Sequence, residues 1–192
     1  MSHFVGSPAA PPLGWRPLPG QTADLSLSGD WHAIYTRHQH EKSVALHLEQ
    51  MNIQVFLPLY REIRRWSDRR KQVVLPLFPC YVFFSGGLER KLQILNAPGV
   101  CSLVASGGKI AVIPALELHA IQRAVGASFS VEPHPFVQSG DRIRVHSGPL
   151  TGLEGIVARV KDSMRIVLSV QTLCRSVAVE VDEAIIERIP IA

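Results

Sequence analysis

The spacing of apolar and polar residues changes period several times along this chain, and each change marks an element. In WHAIYTR, Trp31, Ala33 and Tyr35 alternate with His32 and Ile34, the period of a strand. From His38 onward the period becomes helical: Val44, Ala45, Leu48 and Met51 share a stripe, and Asn52 suits a C-terminal cap. QVFLPLY reads as a second strand in which Pro58 fits an edge or a bulge. REIRRWSDRRKQ reads as the arm and tip of a hairpin with Ser67-Asp68 near the turn, and VVLPLFPCYVFF returns as a strand pair interrupted by Pro76 and Pro79. A short helix over 89–97 is stopped by Pro98-Gly99, and a strand over 100–105 precedes a Gly107-Gly108 turn. Pro114 then opens a helix at its first turn, where a missing N–H costs nothing. Leu118, Ile121 and Val125 form its buried stripe, Gly126 ends it, and Glu117 early and Arg123 late both suit the helix dipole.

Beyond residue 139 the pattern is all strand: DRIRV, GIVARV, RIVLSV, SVAVEV and AIIERI, enough for a small β-barrel. Gly148-Pro149 breaks the first strand, and Gly152 and Gly155 sit where the chain reverses into the second, a spacing suited to tight curvature. The fold class is therefore α+β, an antiparallel sheet flanked by helices followed by a small barrel. Residues 1–29 hold five prolines and four glycines with only Arg16 and Asp24 charged, which predicts a loosely attached tail. The first domain spans 30–126, a Pro-containing linker 127–138, and the barrel domain 139–190.

Charge changes the picture in one place. The chain has a formal net charge of +4. Between Arg61 and Lys71 stand six basic residues (Arg61, Arg64, Arg65, Arg69, Arg70, Lys71) and two acidic ones, an excess equal to that of the whole chain. Trp66 lies among them, able to stack on an unpaired base while the cations meet phosphates. The competing reading is a solvated hairpin tip. The barrel carries seven basic residues against seven acidic ones, a poor phosphate surface.

The remaining composition excludes function classes. No apolar run approaches the ~20 residues of a membrane helix, and no secretory leader pattern opens the chain. Three scattered cysteines without a CxxC pair fit reduced thiols, so a cytoplasmic protein is expected. His38, His40 and His47 do not make a metal motif by sequence spacing, no cofactor-binding motif appears, and neither a nucleophile elbow nor a phosphate loop is present. No catalysis, metal or cofactor is expected.

GDRIRVHSGPLTGLEGIV resembles a KOW motif, carried by Gly148, Pro149, Gly152 and Gly155. WHAIYTRHQHEKSVALHLE, RRWSDRRK, PLFPCYVFF and NAPGV occur ahead of it in the order of a NusG N-terminal domain, so the chain over roughly 30–190 is similar to the NusG family of transcription elongation factors. The WSDRRK and PLFP segments look more like the specialised antiterminators of the RfaH and UpxY type. Many members have glycine in FPxYxF where this chain has Cys80, which puts in doubt a need for positive φ there.

The resemblance implies a monomeric elongation or antitermination factor that suppresses pausing or termination. It would dock an apolar patch of Tyr35, Phe78, Tyr81 and Phe83 on the clamp helices of the largest RNA polymerase subunit. Exposed aromatics suit that task because they offer large contact area for little rotamer entropy. The competing reading makes them core residues of the sheet; Tyr35 and Phe78 are placed with binding, and Phe83 fits both. The hairpin (Arg61, Arg64, Arg65, Trp66, Arg69, Arg70, Lys71) would face non-template or upstream DNA. The barrel would meet termination factor Rho or a small-subunit ribosomal protein, and its β-branched strands predict a barrel in all states. The alternative function is a ribosome-associated protein that holds RNA with the barrel.

Overall fold

The structure is a computed structural model that describes residues 29–66, 69–127, 130–136, 140, 142–160 and 163–189. The expected tail, Gly29 apart, lies outside them, as do Ser67 and Asp68 of the hairpin turn. In chain order the first part comprises β1 (Trp31–Thr36), α1 (Glu41–Gln50), β2 (Gln54–Phe56), β3 (Leu59–Trp66), β4 (Arg69–Pro76) and β5 (Tyr81–Ser85). It continues with α2 (Lys91–Leu95), β6 (Val100–Leu103), β7 (Ala105–Ser106), β8 (Lys109–Ile110) and α3 (Ala115–Gly126). The second part holds β9 (Val131–His134), β10 (Arg142–Val145), β11 (Glu154–Val160), β12 (Ser163–Val170), β13 (Arg175–Val181) and β14 (Ile186–Arg188).

The central sheet of the first part has the order β2-β5-β1-β6, antiparallel throughout. Because side chains alternate across a strand, its two faces feed two cores. Ile34, Val82 and Phe84 pack with Val44, Ala45 and Leu48 of α1 and Ile94 of α2. Trp31, Ala33 and Phe83 face the other way, into a core with Leu118, Ile121 and Ala124 of α3. The helical stripe of α1 read from the sequence is thus the buried one, and Asn52 does turn left-handed (φ 56°) just past its end. At α3 the caps differ from expectation. Pro114 is the N-cap with an extended ψ of 123°, because the amide of Ile113 before it still donates to Trp31 O (2.7 Å); Gly126 stays helical and Ala127 caps.

The second part contains all five expected strands, in a six-stranded antiparallel sheet of order β14-β10-β11-β12-β13-β9, consistent with a KOW-type barrel. The sixth strand comes from the segment read as linker. Val131 to His134 pair with β13, Val131 is buried, and Glu132 forms an ion pair with Arg165 of β12. Two prolines argue for a linker there, yet Pro133 occupies the edge of the sheet, where a missing donor is tolerated.

Nor are the two parts held apart. The α3 helix lies against β12, and one apolar cluster runs from Leu118 and Ile121 to Val145, Leu150 and Leu168. Arg123 Nη2 donates to Pro149 O (2.9 Å) and Thr151 O (2.8 Å), and the Gln171 amide donates to Glu117 Oε2 (3.2 Å). These bonds and this cluster pin the second part onto α3, so the segment read as a linker does not leave the two parts independent.

Gly155 shows why the second part needs its glycines. A Cβ built there would collide with Ile166 Cγ2 and stand 2.8 Å from Val167 O, so β11 and β12 approach too closely for a side chain. Because one obstacle is backbone, Gly155→Ala should cost ~1–3 kcal/mol of stability, as overpacking does. A denaturant midpoint unchanged from wild type would disprove this reading of the close approach.

Candidate functional site

The four aromatics expected to form one exposed patch divide into two pairs. Tyr35 and Tyr81 are direct partners across β1 and β5, with ring centroids 5.5 Å apart in an edge contact. Tyr35 is 43% exposed at the end of a strand whose other five residues are buried. Such a ring offers contact area already held in place by its neighbour. Phe78 and Phe83 instead are buried at 1% and 0% exposure, packed edge to face at 5.4 Å, with Phe56 6.1 Å from Phe83. The expectation that Phe78 stands on an open face is corrected, since it lies in the turn folded onto the core; Phe83, which fitted both readings, is a core residue, sharing a face with Trp31 and Ala33 that α3 covers.

The basic segment forms an antiparallel hairpin of its own, β3 with β4, paired from Leu59↔Pro76 to Trp66↔Arg69. Its base is tied down by the Leu77 amide to Pro58 O (2.9 Å) and by Lys42 Nζ to Val74 O (2.8 Å). The register sets Arg64 opposite Lys71 and Arg65 opposite Arg70. Arg61 and Ile63 are exposed on the same hairpin, Ile63 to 68%.

In the KOW-like segment, Gly148 and Gly152 take positive φ (82° and 80°), and Pro149 lies between them in the turn that accepts from Arg123. This turn is therefore part of the seat on α3. Nearby, Arg142 and Arg144 of β10 both pair with the exposed Glu154 of β11 (3.3 and 2.5 Å), which offsets part of their charge.

Burial raises the Glu117 carboxyl above the usual glutamate range, partly offset by the Gln171 amide bond that lowers it. A raised value means that the neutral acid suits this contact better than the ion. The contact should tighten as pH falls through the glutamate range and carry a cost near neutral pH. Glu117→Gln keeps an acceptor for the Gln171 amide and removes the charge. It should favour the seated arrangement at about pH 7 and match wild type once Glu117 is protonated. Label-to-label distances across the two parts, followed against pH, test this; identical profiles would rule it out.

Two features were not legible in the residue pattern. Cys80 adopts φ 67°, so the backbone here is left-handed with a cysteine in place, and the doubt over positive φ is resolved in its favour. Its amide donates to Glu41 Oε1 (2.8 Å), a carboxylate only 3% exposed in the first turn of α1. Burial, then the Glu41 charge, pushes the Cys80 thiol up, while Arg175 of β13 opposes them. Only a left-handed residue in PLFPCYVFF could have flagged this corner, and cysteine does not announce one.

Among the described residues no helix is long and apolar enough to cross a membrane. Residues 29–122 match the family model described as NusG, transcription termination factor nusG. A solved structure on domain interaction in Thermotoga maritima NusG is similar at 21% identity, covering 85% of this chain and 99% of that chain with a TM-score of 0.52, which supports the fold. An MjSpt4:Spt5 complex aligns at 16% identity over 83% of this chain and 96% of that chain, with a TM-score of 0.27 too low to argue from. No curated protein matches by sequence comparison. Residues 29–122 are thus a domain of the NusG family, whose proteins are generally transcription elongation factors, and a KOW-type sheet follows it in this chain.

Proposed function

We propose that this protein binds elongating RNA polymerase through the clamp helices of the largest subunit, and suppresses pausing or termination without bond chemistry. The observation that carries the reading is the Tyr35–Tyr81 pair: Tyr35 is left 43% exposed on an otherwise buried strand. Phe78 and Phe83 serve by holding the sheet beneath that pair. The basic hairpin tracks non-template or upstream DNA, and binding energy shifts the polymerase between conformations. The KOW-type sheet is the surface for Rho or a small-subunit ribosomal protein. Its balanced charge, with Glu154 occupied by two arginines, speaks against the alternative of a ribosomal RNA binder. The WSDRRK and PLFP segments favour the specialised class of family member over the general one.

The test is binding of the full chain to a peptide coiled coil of the clamp helices. Tyr35→Ala should weaken it by about 2 kcal/mol or more, roughly thirtyfold, if Tyr35 is a hot spot. Melting temperature should hardly move, since the ring buries little in the free protein. Unchanged affinity in a folded variant would refute the docking role.

A further inference from the structure

The turn before β5 and the start of α1 bring together three side chains that sequence spacing kept apart: His38, Glu41 and Cys80, 42 residues from the histidine. One donor atom from each lies within 4.8 Å of the others, and Cys80 Sγ is 4.0 Å from His38 Nδ1. We propose that imidazole, carboxylate and thiolate here form a binding site for a divalent transition-metal ion, zinc above all. A fourth position remains for water or for a donor from a partner.

Donor chemistry selects the metal. A sulfur, a nitrogen and an oxygen suit Zn²⁺, while Mg²⁺ and Ca²⁺ want oxygens alone. Zinc lies about 2.0–2.3 Å from such donors, which sets tetrahedral ligands about 3.5 Å apart. The 4.0 Å pair therefore needs to close by only about half an ångström, within reach of a change in rotamer at the exposed His38. Glu41 supplies the second argument. It is 3% exposed, and among the described residues it has no cationic partner. A buried carboxylate without a countercharge is costly. The Cys80 amide occupies Oε1, but a carboxylate has about four lone-pair sites and can take a cation as well. The same corner holds a polar atom with nothing to bond: Thr36 donates its amide to Cys80 O (2.9 Å), yet its buried Oγ1 has no hydrogen-bond partner.

An ion at this point would link the N-terminus of α1 to the turn that leads into β5. Tyr81 is the next residue, so the metal would also fix the ring beside Tyr35. The site stands whether or not that pair meets polymerase.

Cobalt(II) alone, titrated into the full reduced chain, is the probe. The expected result is a 1:1 endpoint with a thiolate-to-cobalt charge-transfer band and tetrahedral d–d absorption, both displaced by zinc. Cys80→Ser should abolish the charge-transfer band, and His38→Gln should weaken affinity at least tenfold. His38 is exposed, so that variant stays informative even if Cys80→Ser folds poorly. Cys101→Ser and Cys174→Ser should leave the band intact. No band in the wild-type chain, a band that survives Cys80→Ser, or one lost with Cys101→Ser or Cys174→Ser would overturn the assignment.

Discussion

Phe83→Ala should cost about 3–5 kcal/mol of folding stability, the usual penalty for emptying a packed aromatic site. Phe83 is fully buried between Phe56 and Phe78, on the sheet face that α3 closes. Phe78→Ala, at 1% exposure, should fall in the same range. Against a typical total of about 5–15 kcal/mol, either change removes a large part of the margin. Binding to clamp helices should then decline only as the folded fraction does. Tyr35→Ala gives the opposite pattern, which makes the pair of measurements decisive. Urea midpoints for the Phe variants within about 1 kcal/mol of wild type would show that these rings are not the core they are taken for.

Replacing Arg64, Arg65, Arg69 and Arg70 with Ala should flatten the salt dependence of binding to a transcription bubble. Each phosphate that a cation neutralises adds about 0.7–0.9 to the log–log slope, so removing four such cations should lower it by about 3. The hairpin itself should persist, because its ladder runs down to Leu59 and Pro76 and its base is held by the Leu77 amide. Measuring affinity at several salt concentrations separates this from a general loss of folding. An unaltered slope would leave the arginines as solvated surface.

What the sequence determined by itself was whatever depends on local period and local chemistry. Alternation from Trp31 to Tyr35, the stripe of Val44, Ala45 and Leu48, and the five C-terminal β-branched runs each specify an element through backbone geometry alone. Charge is equally local, so the hairpin was visible as the segment holding the whole net excess. Tertiary structure decided everything that needs a partner. Tyr35 and Phe83 both read as aromatics on a strand, and only the seating of α3 makes one a surface and the other a core. Val131 to His134 carry too few apolar residues to look like a strand, but an edge needs only backbone groups to pair, and β13 supplies them. His38 and Cys80 met because a chain turns back on itself between β4 and β5, a closure that depends on the whole sheet and leaves no mark in the spacing of either residue.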